Sequence, residues 1–313
     1  MSSEGEEVSR EEEPVARNQF SLDGLSADEE FIDITQTRAD HIPILERFKQ
    51  LQQLTIRSNL LKEMNENLLP LTALVELDLY DNQLAGIDHL STLVNLDKLD
   101  LSYNRIHEIK GLETLTKLRE LYLVHNKISE IQGLERCCAL ELLELGDNRI
   151  RSIQNINHLR NLRQLYLGKN KIGKISGLEN LIKLEKLSLP ANRLTRIENI
   201  DHLTNLQELY LSDQGLESLE GISTLKMLAL IDLANNKISG LKALSELPLL
   251  EDIWANDNAV ESWAELDSLA ALQHLSTIYL ERNPIYLADR TGYRRKVMLA
   301  LPRLTQIDAL MCR

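Results

Sequence analysis

The sequence predicts an α/β solenoid, in which short parallel strands stack through turns of nearly equal length. Three observations lead to this fold class. Of the 313 residues, 43% are hydrophobic but only 4% are aromatic, so a large core has to be aliphatic. Asparagine recurs at an interval of 22 residues along most of the chain, and leucine and isoleucine keep fixed distances from each of these asparagines. Recurrence at one fixed period indicates a repeat architecture, in which each unit buries its apolar side against its neighbours.

The recurring asparagine is called here the marker of its unit. Gln214 takes the place of asparagine once, Thr37 stands at the same phase one step before the first asparagine, and the last step lengthens to 25 residues. About twelve units result. The asparagine markers are Asn59, Asn82, Asn104, Asn126, Asn148, Asn170, Asn192, Asn236, Asn258 and Asn283.

The apolar residues around each marker follow one pattern, L-x-x-L-x-L-x-x-N-x-I-x-x-I-x-x-L, which is that of leucine-rich repeats. Before the marker the spacing is two, as in a short strand whose leucines all point to one side. After the marker the spacing is three, which indicates a 3₁₀ or short helical return. The sequence therefore predicts a parallel sheet on the concave face and the returns on the convex face. Around Asn104 the apolar set is Leu96, Leu99, Leu101, Ile106, Ile109, Leu112 and Leu115.

The marker asparagine itself has a predicted structural role. Its amide can donate and accept, so it can satisfy backbone groups of its own turn and of the next unit. Seven residues beyond the marker the sequence has glycine or asparagine, the residues that best tolerate positive φ, which predicts a left-handed turn. These positions are Gly111, Gly133, Asn155, Gly177, Asn199 and Gly221.

The two ends of the chain depart from the repeat. Residues 1–30 hold ten carboxylates and two arginines, a net charge of 2 − 10 = −8 in a chain of −13, and lack apolar periodicity, so they are predicted to be an acidic disordered tail. Residues 31–283 form the predicted solenoid, which begins with a strand at 31–34. Residues 284–313 are predicted to be a C-terminal cap, with an amphipathic helix at 293–301 followed by a last strand at 304–308.

Composition and motifs argue against several functions. A pI near 5.1 gives no electrostatic reason to bind nucleic acid. No apolar run approaches the roughly 18 residues of a membrane span, and the acidic N-terminus does not resemble a signal peptide. Cys137, Cys138 and Cys312 are neither a disulfide framework nor a metal site, and Cys137 falls on a core leucine position. His158 and His202 repeat one loop position, and no catalytic constellation stands out. We expect a reduced, intracellular, non-enzymatic protein without cofactor or metal.

The middle residue of each Leu-x-Leu strand is predicted to point out of the concave face, and these residues form the midpoint column. Together with its flanking positions this column holds five of the eight tyrosines and one of the two tryptophans. Tyrosine and tryptophan are favoured as interface anchors, so the column predicts a protein-binding surface. The alternative is that the tyrosines only stack along the sheet as a ladder. The column consists of Asp78, Asp100, Tyr122, Glu144, Tyr166, Ser188, Tyr210, Asp232, Trp254 and Tyr279.

Several strings in the concave strands and the cap resemble those of the leucine-rich-repeat regulatory subunits of protein phosphatase 1. They are Leu77-Asp78-Leu79-Tyr80-Asp81-Asn82, Leu145-Gly146-Asp147-Asn148-Arg149-Ile150, Leu167-Gly168-Lys169-Asn170-Lys171-Ile172, Glu261-Ser262-Trp263, Tyr279-Leu280-Glu281-Arg282-Asn283-Pro284 and the helix string at 293–302.

The resemblance covers about residues 31–313 and implies a non-catalytic subunit that grips the catalytic subunit of protein phosphatase 1 with its concave face. It further implies residence in nucleus and cytoplasm, a role in phosphatase maturation and the cell cycle, and a ternary complex with a small disordered inhibitor. Tyr122 and Tyr166 stand where the family can have phenylalanine, and Asp252 where it can have glutamate. The partner-binding residues that it implies are Asp100, Tyr122, Glu144, Tyr166, Asp232, Asp252, Trp254 and Tyr279.

Two other functions remain compatible with the repeat. A leucine-rich adaptor for another complex, of spliceosomal or axonemal type, would share the scaffold, but an RNA-linked member should carry basic residues in place of the acidic and aromatic column. An enzyme would need an acid–base set, which the sequence does not offer.

Overall fold

Among the described residues, twelve three-residue strands, one from each unit, and two two-residue strands of the cap stack in chain order into one 14-stranded sheet. The structure is a computed structural model that describes residues 18–312. Neighbouring strands are parallel from β1 to β13, and the register aligns equivalent leucines, for example Leu99 with Leu121 and Leu121 with Leu143. The strands are β1 Phe31–Asp33, β2 Gln53–Thr55, β3 Glu76–Asp78, β4 Lys98–Asp100, β5 Glu120–Tyr122, β6 Leu142–Glu144, β7 Gln164–Tyr166, β8 Lys186–Ser188, β9 Glu208–Tyr210, β10 Leu230–Asp232, β11 Asp252–Trp254, β12 Thr277–Tyr279, β13 Gln306–Ile307 and β14 Leu310–Met311.

The returns on the convex face are mostly tight turns. Successive backbone bonds join residues three apart, for example from the N–H of Leu115 to the carbonyl of Leu112 at 3.0 Å. The fold class predicted from the sequence is confirmed, with the refinement that few returns are regular helices. In the part of the chain that the structure describes, the regular returns are three 3₁₀ helices at Glu66–Leu68, Lys242–Glu246 and Ser268–Ala271, and the short helix α1 at Trp263–Asp267.

The core runs the whole length of the solenoid as a single aliphatic column. The leucines of each strand and the leucine or isoleucine of each return are almost without exception fully buried. Cys137 occupies one of these core positions with no exposed surface, as the repeat predicted, and burial raises the pKa of its thiol to about 12. At neutral pH this cysteine is therefore a neutral, buried apolar side chain.

The marker asparagines form a ladder of hydrogen bonds along one side of the core. The side-chain oxygen of Asn126 accepts from the N–H of Ile106 at 2.9 Å, and its amide group donates to the carbonyls of Leu101 and Leu123 at 3.0 and 3.2 Å. Ile106 and Leu101 belong to the preceding unit, so the prediction of a bond to the next unit had the direction wrong. The bonding itself, within the turn and across to a neighbour, is confirmed.

Left-handed turns occur where glycine and asparagine predicted them. Gly177 has φ +71°, and a Cβ there would lie 2.7 Å from the carbonyl oxygen of Ile153. The structure adds a second left-handed position, directly before each marker, that the sequence did not reveal because its side chains are varied. Tyr103, Asp147 and Lys169 are examples, with φ between 53° and 55°.

Residues 18–30 correct the predicted disordered tail. Phe20, Leu22 and Leu25 pack against the core, and the backbone N–H groups of Asn18 and Gln19 donate to carbonyls of the first unit at 3.2 and 2.7 Å. The reason is that the first unit would otherwise expose its leucines at the open end of the solenoid. These three apolar side chains contribute to covering that end, although their spacing follows no repeat. Residues 1–17 of the predicted tail lie outside the described residues.

The C-terminal end is closed by helices and by a turned-back strand. Helix α2 spans Pro284–Ala288 and was not predicted, whereas helix α3 spans Tyr293–Ala300, within the predicted helical stretch at 293–301. Strand β13 continues the parallel sheet, and β14 pairs with it antiparallel. The Asp308 carboxylate accepts from the N–H of Leu280 at 2.8 Å, and the Arg294 guanidinium donates to the Ile307 carbonyl at 3.0 Å. The first bond ties the cap to the last unit, and the second joins helix α3 to strand β13 within the cap.

Candidate protein-binding surface

The strands bring all eight predicted partner-binding residues onto the same face of one sheet. Seven of them are the last residues of their strands and follow one another in register, from Asp100 on β4 to Tyr279 on β12. Asp252 lies two residues before Trp254 on β11 and points to the same side. The eight strand steps from β4 to β12, at about 4.8 Å each, give a column about 38 Å long. The face is long enough for a globular partner of standard interface size.

The carboxylates of this column also bond to the backbone of their own strands. Asp100 accepts from the N–H of Ser102 at 2.9 Å, and Asp232 accepts from the N–H of Ala234 at 3.0 Å. Because the sheet ends there, these N–H groups would otherwise need another acceptor. The acids are thus held in fixed directions before any partner arrives.

Glu144 occupies the centre of the column between Tyr122 and Tyr166. Its longer side chain makes the same bond as the aspartates, accepting from the N–H of Gly146 at 3.0 Å. Glycine is needed two residues on, because a Cβ at Gly146 would lie 2.9 Å from Glu144 Oε1. Burial raises the pKa of Glu144 from its ordinary value of 4.5 to about 7. A carboxylate that titrates near neutral pH therefore lies at the middle of the concave face.

Replacement of Glu144 by glutamine is expected to stabilise the fold above pH 7. The folded-state pKa lies above the unfolded one, so the folded chain binds the extra proton and stability falls as pH rises from about 4.5 to 7. Glutamine keeps the acceptor for Gly146 and removes the titration. Urea unfolding at pH 5 and pH 8 should show a smaller difference for the variant than for the wild type. An unchanged difference would mean that Glu144 does not carry this pH dependence.

An aromatic cluster lies at the C-terminal end of the column. The rings of Tyr210 and Trp254, two strands apart, meet edge to face with centroids 6.2 Å apart, and Trp254 meets Tyr279 at the same distance. Asp232 lies in register between Tyr210 and Trp254 and is only 9% exposed; burial raises the pKa of its carboxyl. Tyr210 belongs to the midpoint column but not to the eight predicted partner-binding residues, and its contact with Trp254 makes it part of this site.

Hydrogen bonds from the tyrosine hydroxyls fix the rings of the column. The hydroxyls of Tyr122, Tyr166 and Tyr210 donate to the polar side chain two residues earlier on the same strand. The hydroxyl of Tyr279 instead accepts from Gln306 Nε2 at 2.6 Å. Two lysines add ion pairs across neighbouring strands, from Lys98 to Glu76 at 2.9 Å and from Lys186 to Glu208 at 2.7 Å. The hydroxyl bonds join Tyr122 to Glu120 at 2.9 Å, Tyr166 to Gln164 at 2.7 Å and Tyr210 to Glu208 at 2.6 Å.

A row of contacting aromatic rings lies outside the midpoint column, in the loops that directly follow strands β3, β4 and β5. Tyr80 lies 5.0 Å from Tyr103, and Tyr103 stacks on His125 at 4.7 Å between ring centroids. In the midpoint column, Trp254 and Tyr279 of neighbouring strands touch, but Glu144 separates the strands of Tyr122 and Tyr166, so the rings do not form a continuous ladder. This arrangement favours the interface interpretation of the column over the interpretation as a structural ladder.

Comparison with known families agrees with the fold. The family described as "Leucine Rich repeats (2 copies)" matches residues 94–136 and 138–180, and the family described as "Leucine-rich repeat" matches residues 207–311. An internalin from Listeria monocytogenes superposes with a TM-score of 0.78 at 24% identity, covering 89% of this chain and 79% of that one. A leucine-rich-repeat protein of Leptospira interrogans superposes with a TM-score of 0.73 at 27% identity, covering 87% and 76%. The chain is a leucine-rich-repeat protein.

Curated relatives are similar to this chain over shorter segments, but at higher sequence identity. The "Protein phosphatase 1 regulatory subunit SDS22 homolog" of Caenorhabditis elegans is 53% identical over 87 residues, which are 28% of this chain and 26% of that protein. The human "Protein phosphatase 1 regulatory subunit 7" is 55% identical over 51 residues, 16% of this chain and 14% of that protein. The chain thus matches about a quarter or less of the length of these relatives. Within these segments, the resemblance to phosphatase regulators that the sequence indicated is confirmed.

The relatives are named as regulatory subunits, and the leucine-rich-repeat fold is a binding scaffold, in agreement with the prediction of a non-catalytic protein. Within residues 18–312, no helix has the length and apolar character that crossing a bilayer requires.

Proposed function

We propose that this chain is a non-catalytic regulatory subunit that binds the catalytic subunit of protein phosphatase 1, a Ser/Thr phosphatase, through the concave face. The observation that carries the proposal is the continuous column of oriented acids and aromatic rings from Asp100 to Tyr279. The names of the relatives support the identity of the partner. The partner-binding residues are the eight predicted ones, with Tyr210 added.

The chemistry of the column indicates what the partner presents. The tyrosine rings offer large, rigid area with polar tips, and the carboxylates between them suit basic or hydroxyl-bearing side chains. Because the acids are already bonded to their own backbone, little ordering is needed on binding, which favours affinity.

The same proposal extends to the role of the complex. The bound chain controls the activity, maturation or targeting of the phosphatase, and a small disordered phosphatase inhibitor joins it in a ternary complex. Nucleic acid and membrane are not partners. The chain acts in the nucleus and cytoplasm.

Isothermal titration of the full chain into purified protein phosphatase 1 catalytic subunit tests the proposal. We expect saturable one-to-one binding, and we expect the affinity to fall as salt rises, since the concave face is acidic. A titration without heat of binding, repeated at two temperatures to exclude a zero enthalpy, would contradict the phosphatase assignment. The alternative would then be an adaptor for another intracellular complex, of spliceosomal or axonemal type, and pull-down with the concave face as bait would seek that partner.

A further inference from the structure

Five basic side chains form a row along one edge of the solenoid. At this edge the chain passes from each strand into the return on the convex face. One basic residue directly follows the marker in each of five consecutive units. The N–H of each donates to a carbonyl of the unit before at 2.8 to 2.9 Å, so the five positions stack as regularly as the strands. This basic row consists of Arg105, Lys127, Arg149, Lys171 and Arg193.

The row has no acidic partner in the part of the chain that the structure describes. None of its five side chains forms an ion pair with a described carboxylate, whereas the lysines of the concave face are paired. Arg105, Arg149 and Arg193 are exposed. Asp147, which directly precedes the marker Asn148, pairs with His125 at 2.6 Å, and Glu108 and Glu130 accept from glutamine side chains at 2.7 and 2.6 Å. Five stacked cations without an ion pair to any described carboxylate repel one another, and the binding of an anionic segment would relieve this repulsion.

The chain itself carries a matching acidic segment. Residues 4–13 contain six glutamates and one arginine, a net charge of 1 − 6 = −5 against the +5 of the basic row. This segment lies outside the described residues, but the point where the chain enters the structure is known. The N–H of Asn18 donates to the carbonyl of Arg38 at 3.2 Å, and Asn18 Oδ1 accepts from the N–H of Asp40 at 3.1 Å. Arg38 directly follows the marker position Thr37, so the chain enters at the same edge as the basic row.

The acidic segment is also long enough to reach along the basic row. From the unit of Arg38 to those of Arg105 and Arg193 there are three and seven unit steps, about 14 and 34 Å. An extended chain covers about 3.3 Å per residue, so Glu13 and Glu4 reach about 17 and 46 Å from Asn18. The glutamates can therefore span the whole row without strain.

We propose that the acidic segment of residues 4–13 docks along the basic row of its own chain, at the loop edge beside the concave face. The segment stays close to the surface that binds the partner. This interaction involves none of the eight partner-binding residues and is independent of the proposed phosphatase partner.

Carbodiimide cross-linking of the full chain, followed by mass spectrometry, tests the docking. This reagent joins a carboxylate directly to a lysine amine, so links from residues 4–13 to Lys127 or Lys171 report contact with the row. The ion pairs Lys98–Glu76 and Lys186–Glu208 are internal standards that must link in the same sample. We expect the links to the row at low salt and their loss at about 0.5 M salt, where surface charges are screened.

Reversing only the arginines of the row, R105E with R149E and R193E, leaves both lysines available for linking and should lower the yield roughly tenfold. The matched control reverses three exposed cations at the other end of the solenoid, K242E with R295E and R303E, and should keep the links. Equal yields in both variants, or no links while the standards react, would overturn the proposal. So would links found only between ¹⁴N- and ¹⁵N-labelled copies in a mixture, because the occupant would then be a second chain.

Discussion

Replacement of Trp254 by alanine is expected to weaken binding to the phosphatase catalytic subunit by roughly 30- to 1,000-fold, since an aromatic anchor residue of an interface contributes about 2–4 kcal/mol. Trp254 touches Tyr210 on one side and Tyr279 on the other, with ring centroids 6.2 Å apart in both cases. Its removal deletes the largest side chain of the cluster, at the position next in register to Asp232. The rings of Tyr210 and Tyr279 then lose the neighbour that holds them.

Calorimetric titration of the variant measures this loss, and the chain provides a matched control. Trp263, the second tryptophan, begins α1 and contacts Tyr293 of the cap, away from the concave face. Trp263→Ala should bind normally if the chain remains folded by circular dichroism. A second variant, Asp232→Asn, tests the charge of this cluster alone, because asparagine keeps the acceptor for the N–H of Ala234. If Trp254→Ala binds as well as Trp263→Ala, the concave cluster is not the interface.

The sequence alone predicted most of the solenoid because every unit repeats the same local physics. Leucine spacing predicted the strands, the marker asparagine predicted the ladder, and glycine or asparagine seven residues on predicted the left-handed turn. Such signals are redundant, so a substitution such as Gln214 for asparagine did not obscure the period. Residues 18–30 were predicted wrongly for the opposite reason: the contacts of Phe20, Leu22 and Leu25 occur once, and a single seal has no period to detect.

For the candidate site, the sequence predicted which side chains face the concave surface, but it did not predict their pKa values or their contacts across strands. Alternation along each strand determined which side chains face the concave surface. The neutral-range pKa of Glu144 depends on burial between two neighbouring strands, which are 22 residues away in sequence. The contact between Tyr210 and Trp254 crosses an intervening strand, and a pattern within one unit contains no sign of it. The basic row was also missed, since its members are single exposed residues until the units are stacked.

Replacement of the marker Asn126 by alanine is expected to lower the free energy of unfolding by about 2–4 kcal/mol. Asn126 accepts from the N–H of Ile106 and donates to the carbonyl of Leu101, both in the preceding unit, and to that of Leu123 in its own unit; all three bonds are buried. Alanine leaves these backbone groups without partners and out of reach of water, and each unmade buried bond costs about 1–3 kcal/mol. Because each repeat is stabilised mainly by its neighbours, the loss should appear as a lower urea midpoint or as a separate early transition.

Two matched variants separate the ladder from a general effect of asparagine. Asn205 is exposed and donates to the single carbonyl of Ile182 at 2.7 Å, so Asn205→Ala should cost well under about 1 kcal/mol. Asn126→Gln should recover part of the loss, because Gln214 makes the equivalent bonds in its own unit, accepting from the N–H of Leu194 at 2.9 Å. If the two alanine variants unfold at the same urea concentration, the markers are not what holds successive units together, and the strand register alone must do so.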